Sequence, residues 1–386
     1  GINAIKKANL TLPSWVEKMQ TNKNSSFYSL QKGTKFYYDT DDSINKKIPG
    51  LENIISLENL DDKATVWKND EASIKEIGDG IINVEFHSKM NTIGGGILNA
   101  LNKAVDLAED GLYRGIVISN EGDNFSAGAN VGMIFMMAAE QEFEELNMVV
   151  KAFQNTTMRL RYSAIPIVAA PHGMALGGGC EICLHADKVI AHAETYMGLV
   201  EFGVGLIPGG GGTKEMALRF SDELKTGDMR INRFRDKFLT IGQAKVSTSG
   251  EEAFELGYLR KGIDEVIVSR TDQITYAKNT CIQMAEKGYN QQSKRRDITV
   301  LGQEGLGIVY AGANSMKSGN YMSEHDQLIS EKLGNVLCGG DLSQLTEVSE
   351  DYLLDLERKA FVELCMERKT LERIQSLLQK GKILRN

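Results

Sequence analysis

Two glutamates stand beside glycine-rich stretches, at positions where carboxylates could transfer protons. Glu181 follows three glycines in "ALGGGCEICLHAD" (175–187), and Glu201 lies twenty positions further on, in the apolar "YMGLVEFGVGLIPGGGG" (196–212). An apolar setting raises the pKa of a carboxyl group, and two carboxylates in a semi-apolar pocket can divide acid and base work. Two simpler roles stay open. Glu181 also suits a helix N-terminus, and Glu201 also suits an ion pair with a nearby lysine.

The glycines could offer backbone N–H groups to an oxygen atom. A strand that ends at residues 177–179 and opens a helix presents donors at the helix N-terminus, and a chain without Cβ atoms allows close approach. An oxyanion hole needs two donors, and the glycine turn "NFSAGAN" (124–130) is a candidate for the second. Each stretch taken alone also fits a tight turn. Neither "GVGLIPGGGGTKE" nor "NTIGGGILNAL" has the order of a nucleotide phosphate loop.

Metal and redox chemistry are not indicated. The histidines have no H-x-x-x-H spacing and no cysteine at a metal-ligand interval, and Cys180 and Cys183 form a lone C-x-x-C. His172, on an apolar strand, suits a hydrogen-bonded core histidine, and no G-x-S-x-G elbow supports a serine triad. We therefore predict no metal site.

The composition narrows the classes of partner and compartment. The formal net charge is −8 with interspersed signs, which gives no electrostatic footprint for nucleic acid. Five cysteines without secretory spacing, and no signal peptide, predict a reducing cytoplasm. No apolar run reaches the ~18 residues of a membrane span. We therefore expect a cytoplasmic protein with neither a nucleic-acid partner nor a membrane span.

Three segments follow from the pattern along the chain. Residues 1–70 are polar and turn-rich, with Tyr37 and Tyr38 as strand candidates in a hairpin region or linker. Residues 71–272 alternate apolar strands with amphipathic helices, including one over 140–162, and this alternation predicts an α/β layered domain. Residues 273–386 show no further strand signal and are predicted to be helical. One helix there begins after Ser349, and another ends at Gly381.

The ordered pair "FSAGAN" and "IPIVAAPHGMALGGGCEICLHADKVIAHAETYMGLVEFGVGLIPGGGGT" resembles the enoyl-CoA hydratase/isomerase (crotonase) superfamily. The flanks "LPSWVEKM" and "YLLDLERKAFVELCMERKTLERIQSLLQKGKILRN" resemble bacterial fusions of a 3-hydroxyacyl-CoA dehydrogenase with an enoyl-CoA hydratase. The resemblance implies an α/β, crotonase-like spiral of repeated ββα units with a C-terminal helical region. It also implies that 1–70 is the tail of a preceding dehydrogenase half and that the rest is the hydratase portion.

The resemblance also implies roles for particular residues. The oxyanion donors would be the N–H groups of Ala127 and Gly178, and the catalytic carboxylates would be Glu181 and Glu201. In "HSKMN", the candidate contacts to coenzyme A are Ser88, Lys89 and Met90, with Ala129 beside the acyl thioester. Many relatives have Asp at the position of Asn130, so a third carboxylate there is not expected.

The implied reaction is hydration of trans-2-enoyl-CoA to 3-hydroxyacyl-CoA in fatty acid β-oxidation, with Glu181 as base toward water and Glu201 as acid toward Cα. No separate cofactor is expected, because coenzyme A enters with the substrate and NAD belongs to the dehydrogenase portion. The expected partners are that dehydrogenase half, copies of this chain in a trimer-based homo-oligomer, and a thiolase. The alternatives are isomerisation of 3-enoyl-CoA and a non-catalytic CoA-thioester-binding or assembly module.

Overall fold

The structure, a computed structural model, describes residues 7–8, 11–22, 26–31, 34–51 and 54–386. The chain divides into two compact units, 1–65 and 66–386. The predicted roles of the segments 1–70, 71–272 and 273–386 stay predictions. For residues 1–6, 9–10, 23–25, 32–33 and 52–53 the prediction lies outside the described residues.

A small antiparallel sheet forms the first unit, together with the helix Ser14–Thr21. Its strands, β1 (Tyr28–Gln31), β2 (Thr34–Asp39) and β3 (Ile44–Lys47), pair in chain order, with Tyr37 opposite both Tyr28 and Lys46. Two 3-10 turns follow at Leu57–Asn59 and Asp62–Ala64. The predicted strand positions of Tyr37 and Tyr38 are confirmed, and the Tyr38 side chain is fully buried.

The second unit is built on a seven-stranded sheet with the order β12-β10-β8-β7-β6-β5-β4. β5 and β6 are antiparallel, whereas β6, β7, β8, β10 and β12 run parallel to one another. β6, β7 and β8 are buried along their whole length, which is why they read as continuous apolar runs. The strands are β4 (Thr65–Lys68), β5 (Ala72–Glu76), β6 (Ile81–Phe86), β7 (Gly115–Ile118), β8 (Ile167–Ala169), β10 (Lys188–His192) and β12 (Glu265–Ile267).

A second, two-stranded sheet carries the segments with the two glutamates. β9 (Gly173–Leu176) and β11 (Thr195–Gly198) are parallel, with Gly173 opposite Thr195 and Leu176 opposite Gly198. Because the strands are parallel and in register, both end at the same edge of the sheet. Glu181 and Glu201 follow these two ends and are brought together by the pairing.

Helices make up most of the remaining chain and confirm the predicted α/β class. The predicted helix over 140–162 is confirmed as Phe143–Arg161, but a separate helix, Val131–Ala139, precedes it. The α-helices of the second unit are Gly95–Leu107, Val131–Ala139, Phe143–Arg161, Gly178–Leu184, Gly212–Glu223, Arg230–Gly242, Gly250–Glu255, Gln273–Glu286, Gln303–Ser318, Glu324–Leu337, Glu350–Cys365 and Arg368–Lys380. Short 3-10 turns lie at Lys89–Asn91 and Glu201–Val204, and a π-helical turn lies at Ala108–Leu112.

The C-terminal region is helical as predicted, with one correction. Ser349 caps Glu350–Cys365 by accepting a hydrogen bond from the Tyr352 N–H (3.2 Å), and Gly381 ends the last helix with a φ of 62°. The prediction that strands stop after 272 is wrong. β13 (Ile298–Val300) and β14 (Thr346–Val348) form an antiparallel pair, and three-residue strands are too short to show alternation in a sequence.

Across the part of the chain that the structure describes, no helix is both long enough and apolar enough to cross a bilayer.

Candidate active site

The turn from β9 into the helix Gly178–Leu184 brings backbone and carboxylate together. Gly177 has a φ of 50°, a left-handed conformation that glycine adopts readily, and a Cβ built there would lie 2.9 Å from Glu201 Oε1. Gly178 is the first residue of the helix, so its N–H has no acceptor within the helix. The glycines therefore leave the N-terminus of this helix without side chains, as the sequence suggested, and the Glu201 carboxyl group lies beside it.

The second N–H donor is not the predicted one. The Ala127 N–H already donates to the Met90 carbonyl oxygen (3.1 Å), which leaves it unavailable to a ligand. Two residues later, the Ala129 N–H has no acceptor among the described residues, and a Cβ built on Gly178 would lie 3.3 Å from this nitrogen. The pair of N–H groups beside each other is therefore Ala129 and Gly178, and the assignment of Ala127 as a donor is corrected.

Glu181 lies one helical turn beyond Gly178 and is buried. Its Oε1 accepts hydrogen bonds from the N–H groups of Gly210 (2.8 Å) and Gly212 (2.7 Å). Burial is the main cause that raises the pKa of Glu181 well above its ordinary value, followed by the charges of Glu201 and Glu357, while the two N–H groups oppose the rise. A raised pKa lets a carboxyl group hold a proton at a pH where an exposed glutamate is ionised.

Glu201 begins the short turn after β11 and has an unoccupied hydrogen-bonding position. Its Oε2 is inaccessible to solvent and has no hydrogen-bond partner among the described residues. Burial raises the pKa of Glu201 to about 7, and the nearby Glu357 contributes to the rise. A buried polar atom without a partner is costly, and such atoms are found where a ligand or water completes the site.

Sequence reasoning missed a further carboxylate beside these two, the buried Glu357, on the helix Glu350–Cys365. Its Oε1 accepts from the Gly211 N–H (2.6 Å) and its Oε2 from the Lys214 N–H (2.9 Å). Burial raises its pKa to about 7. A signal was present in the sequence: Glu357 is spaced four residues from Leu353 and from Phe361, on the stripe of the helix that faces the core.

The predicted coenzyme A contacts lie beside the "FSAG" turn. Met90 receives the Ala127 N–H, and the Ser88 hydroxyl donates to the Thr92 carbonyl oxygen (2.7 Å). Lys89 and Met90 are exposed. Lys89 is therefore an exposed cation next to Met90, whose carbonyl oxygen contacts the turn that also carries the Ala129 N–H.

Other residues singled out in the sequence have structural roles. Asn130 caps the helix Val131–Ala139 through a hydrogen bond from the Met133 N–H (3.2 Å). Cys180 and Cys183 are buried free thiols, and His172 contacts the Gly122 carbonyl oxygen (2.7 Å). Within the described residues, no group of three or more His, Cys, Asp or Glu side chains could hold a metal ion.

Comparisons with known proteins identify relatives of this chain. The family model described as enoyl-CoA hydratase/isomerase matches residues 76–222, which include both glycine turns, Glu181 and Glu201. A "probable enoyl-CoA hydratase" of Bacillus subtilis is 30% identical over 198 residues, 51% of this chain and 69% of that protein. The chain belongs to the enoyl-CoA hydratase/isomerase family.

Two further matches concern the length and the fold of this enoyl-CoA hydratase/isomerase family member. A "probable 3-hydroxyacyl-CoA dehydrogenase" of Bacillus subtilis is 41% identical over 376 residues, 97% of this chain but 47% of that protein. The chain thus spans about half the length of this relative. The crystal structure of enoyl-CoA hydratase from Bacillus halodurans superposes with a TM-score of 0.54 at 16% identity, covering 80% of this chain and 100% of the other. The crotonase-like fold expected from the sequence is confirmed.

Proposed function

We propose that this chain is an enoyl-CoA hydratase, which adds water to trans-2-enoyl-CoA to give 3-hydroxyacyl-CoA in fatty acid β-oxidation. The observation that carries the proposal is the meeting of the buried Glu181 and the partly buried Glu201 with the N–H groups of Ala129 and Gly178, which have no acceptor among the described residues. A site with one carboxyl group suffices to move a proton between two carbons. Two carboxyl groups suit the addition of both parts of a water molecule.

In the proposed mechanism, the thioester oxygen accepts hydrogen bonds from Ala129 and Gly178, which stabilise the enolate as charge develops on that oxygen. Glu181 removes a proton from water while the water oxygen bonds to Cβ of the double bond. Glu201 delivers a proton to Cα, which restores the thioester carbonyl. Because the carboxyl groups interact, the acid and base roles belong to the pair. Transfer of one proton from Glu181 to Glu201 restores the starting protonation states before the next turnover.

The proposed substrate enters with its own coenzyme A, and the mechanism uses no metal ion and no NAD. Lys89 is proposed to bind the coenzyme A phosphates, with Ser88 and Met90 beside it. The product is a 3-hydroxyacyl-CoA, which is the substrate class in the name of the Bacillus subtilis relative of about twice the length. We therefore propose a dehydrogenase half as partner. The trimer-based oligomer, the thiolase partner and the cytoplasmic location stay predictions.

The test is a steady-state assay of the purified chain with short-, medium- and long-chain trans-2-enoyl-CoA, in the presence of a chelator and without NAD. We expect loss of the ultraviolet absorbance of the conjugated thioester and formation of 3-hydroxyacyl-CoA. Turnover of 3-enoyl-CoA without hydration would instead identify an isomerase. Binding of the thioesters without any turnover would identify a binding module and overturn the proposed function.

A further inference from the structure

The glycine loop Gly209–Gly212, whose last residue begins the helix Gly212–Glu223, lies between two buried carboxyl groups from distant parts of the chain. The N–H groups of Gly210 and Gly212 point to Glu181, at 2.8 and 2.7 Å, and the N–H group between them, that of Gly211, points to Glu357 at 2.6 Å. Three successive donors thus alternate between a proposed catalytic residue and a residue of the C-terminal helix. The glycine-rich sequence, which lacks the pattern of a phosphate loop, binds the protein's own carboxylates.

Glu357 is fixed from three sides. Besides the Gly211 N–H, its carboxylate accepts hydrogen bonds from the Lys214 N–H (2.9 Å) and from Gln154 Nε2 (3.2 Å). Gln154 is itself held by Arg358, whose Nη1 donates to the amide oxygen at 2.9 Å. The Glu357 side chain has no exposed surface. Such a fully partnered buried carboxylate holds the atoms around it in one arrangement.

The loop has no room to move toward Glu181. A Cβ built on Gly210 would lie 2.9 Å from Glu181 Oε2, and one built on Gly212 would lie 2.8 Å from Oε1. A Cβ on Gly211 would lie 2.9 Å from the ring of His185, which follows the helix that carries Glu181. A small displacement of the loop would therefore lengthen or break the two hydrogen bonds that orient the Glu181 carboxylate.

We propose that Glu357 is a positioning residue for Glu181: it anchors the glycine loop so that the Gly210 and Gly212 N–H groups reach the Glu181 carboxylate. The inference rests on the proposed function, in which Glu181 is the base toward water. Glu357 touches the loop and not the reacting atoms. Its contribution is the placement of a base, and misplacing a catalytic group by about 1 Å can cost ~10²-fold in rate.

The charge of Glu357 gives a second, independent readout. The charged groups that face it are Glu181 and Glu201, whose pKa values it raises, and Lys214, which lowers its own. Replacing the carboxylate by a neutral amide removes the repulsion. Both neighbouring carboxyl groups then ionise more easily, so the acidic limb of the kcat/KM profile moves to lower pH.

Two variants separate anchoring from charge. Glu357→Gln removes the charge but keeps an oxygen that can accept from Gly211 and Gln154. Glu357→Met keeps a similar length and removes every acceptor. The matched control is Glu350→Gln, seven residues earlier on the same helix and equally buried, whose carboxylate accepts from Lys214 Nζ (3.2 Å) and from the Tyr162 hydroxyl rather than from the loop.

For Glu357→Met we expect a fall in kcat of ~10²-fold with KM changed less than about threefold. For Glu357→Gln we expect a smaller loss of kcat and an acidic limb that moves to lower pH. The control Glu350→Gln should keep its acidic limb in place. Wild-type kcat in Glu357→Met overturns the proposal, and so does an unmoved acidic limb in Glu357→Gln. If Glu357→Met does not fold, the pH profile of Glu357→Gln still tests the proposal.

Crystal structures of wild type, Glu357→Gln and Glu357→Met provide a readout that does not need hydratase activity. In the Met variant we expect the Gly210 and Gly212 nitrogens to move beyond hydrogen-bond distance of the Glu181 carboxylate. Unchanged contacts would overturn the proposal. A wild-type protein that turns over no enoyl-CoA, but whose loop moves in the Met variant, would overturn the proposed function and leave the anchoring role supported.

Discussion

At the scale of single residues, proton transfer is proposed to depend on Glu181 and Glu201. Replacing either carboxyl group by an amide removes the group that gives or takes a proton and changes its size little. We therefore expect Glu181→Gln and Glu201→Gln each to lower kcat by roughly 10²–10⁴-fold, with coenzyme A thioester binding retained. The assay is hydration with binding measured by calorimetry. Glu194→Gln, at an exposed position, is the control, and near-wild-type turnover in either active-site variant would refute the assignment.

Gly178 tests the pair of N–H donors. A single added methyl group would lie 3.0 Å from the Phe153 ring and 3.3 Å from the Ala129 nitrogen, so Gly178→Ala should separate the two donors. We expect a loss of kcat of about 10²-fold, as for removal of one oxyanion donor. Gly95→Ala is a matched control, because Gly95 also begins a helix and a Cβ there meets nothing within 4 Å. Full activity of Gly178→Ala would contradict the proposed hole.

At the scale of elements, the helix Glu350–Cys365 carries Glu357 and depends on its cap. The Ser349 hydroxyl accepts from the Tyr352 N–H, which satisfies one of the free donors of the first turn. Ser349→Ala should lower the free energy of unfolding by about 1 kcal/mol. Chemical denaturation measures this change. Ser315→Ala, at an exposed position inside another helix, should change it by less than about 0.5 kcal/mol, and equal effects in both variants would contradict the capping role.

At the scale of the whole molecule, buried carboxyl groups make stability depend on pH. Burial raises the pKa of Glu357 from 4.5 to about 7, so between these values the folded protein holds a proton that the unfolded chain has released. Stability from this group is therefore present below pH 4.5 and is lost as the pH rises toward 7. Relative to Glu357→Gln, the free energy of unfolding of wild type should fall by up to roughly 3 kcal/mol as the pH rises from 4.5 to about 7.

The measurement is the free energy of unfolding of both proteins at several pH values between 4.5 and 8. Because the result is a difference between two proteins, the titrating groups that do not face Glu357 largely cancel, whereas Glu181 and Glu201 contribute to it. The Lys214 N–H and the Gly211 N–H favour the charged form and limit the size of the effect. A difference between the two proteins that stays constant with pH would show that Glu357 has an ordinary pKa in the folded state.

The sequence by itself determined the local features. Glycines 177–179 suit the left-handed φ of Gly177, where a Cβ would lie 2.9 Å from Glu201 Oε1. The periodicity of 140–162 and the caps at Ser349 and Gly381 specify helices through neighbouring residues. The two glycine turns and the two glutamates predicted one candidate site, and the structure brings these segments together. These features depend on interactions between residues a few positions apart, so they can be inferred from the order of residue types in the sequence.

The tertiary structure decided which groups meet. Ala127 and Ala129 both lie in one glycine turn, and only the distant Met90 carbonyl, which occupies the Ala127 N–H, distinguishes them. Glu357 reaches the loop beside Glu181 from a helix 176 positions further along the chain, and no local pattern states that contact. The physical reason is the same in both cases: hydrogen bonds and burial between distant segments exist only after the chain has folded, and they assign each group its role.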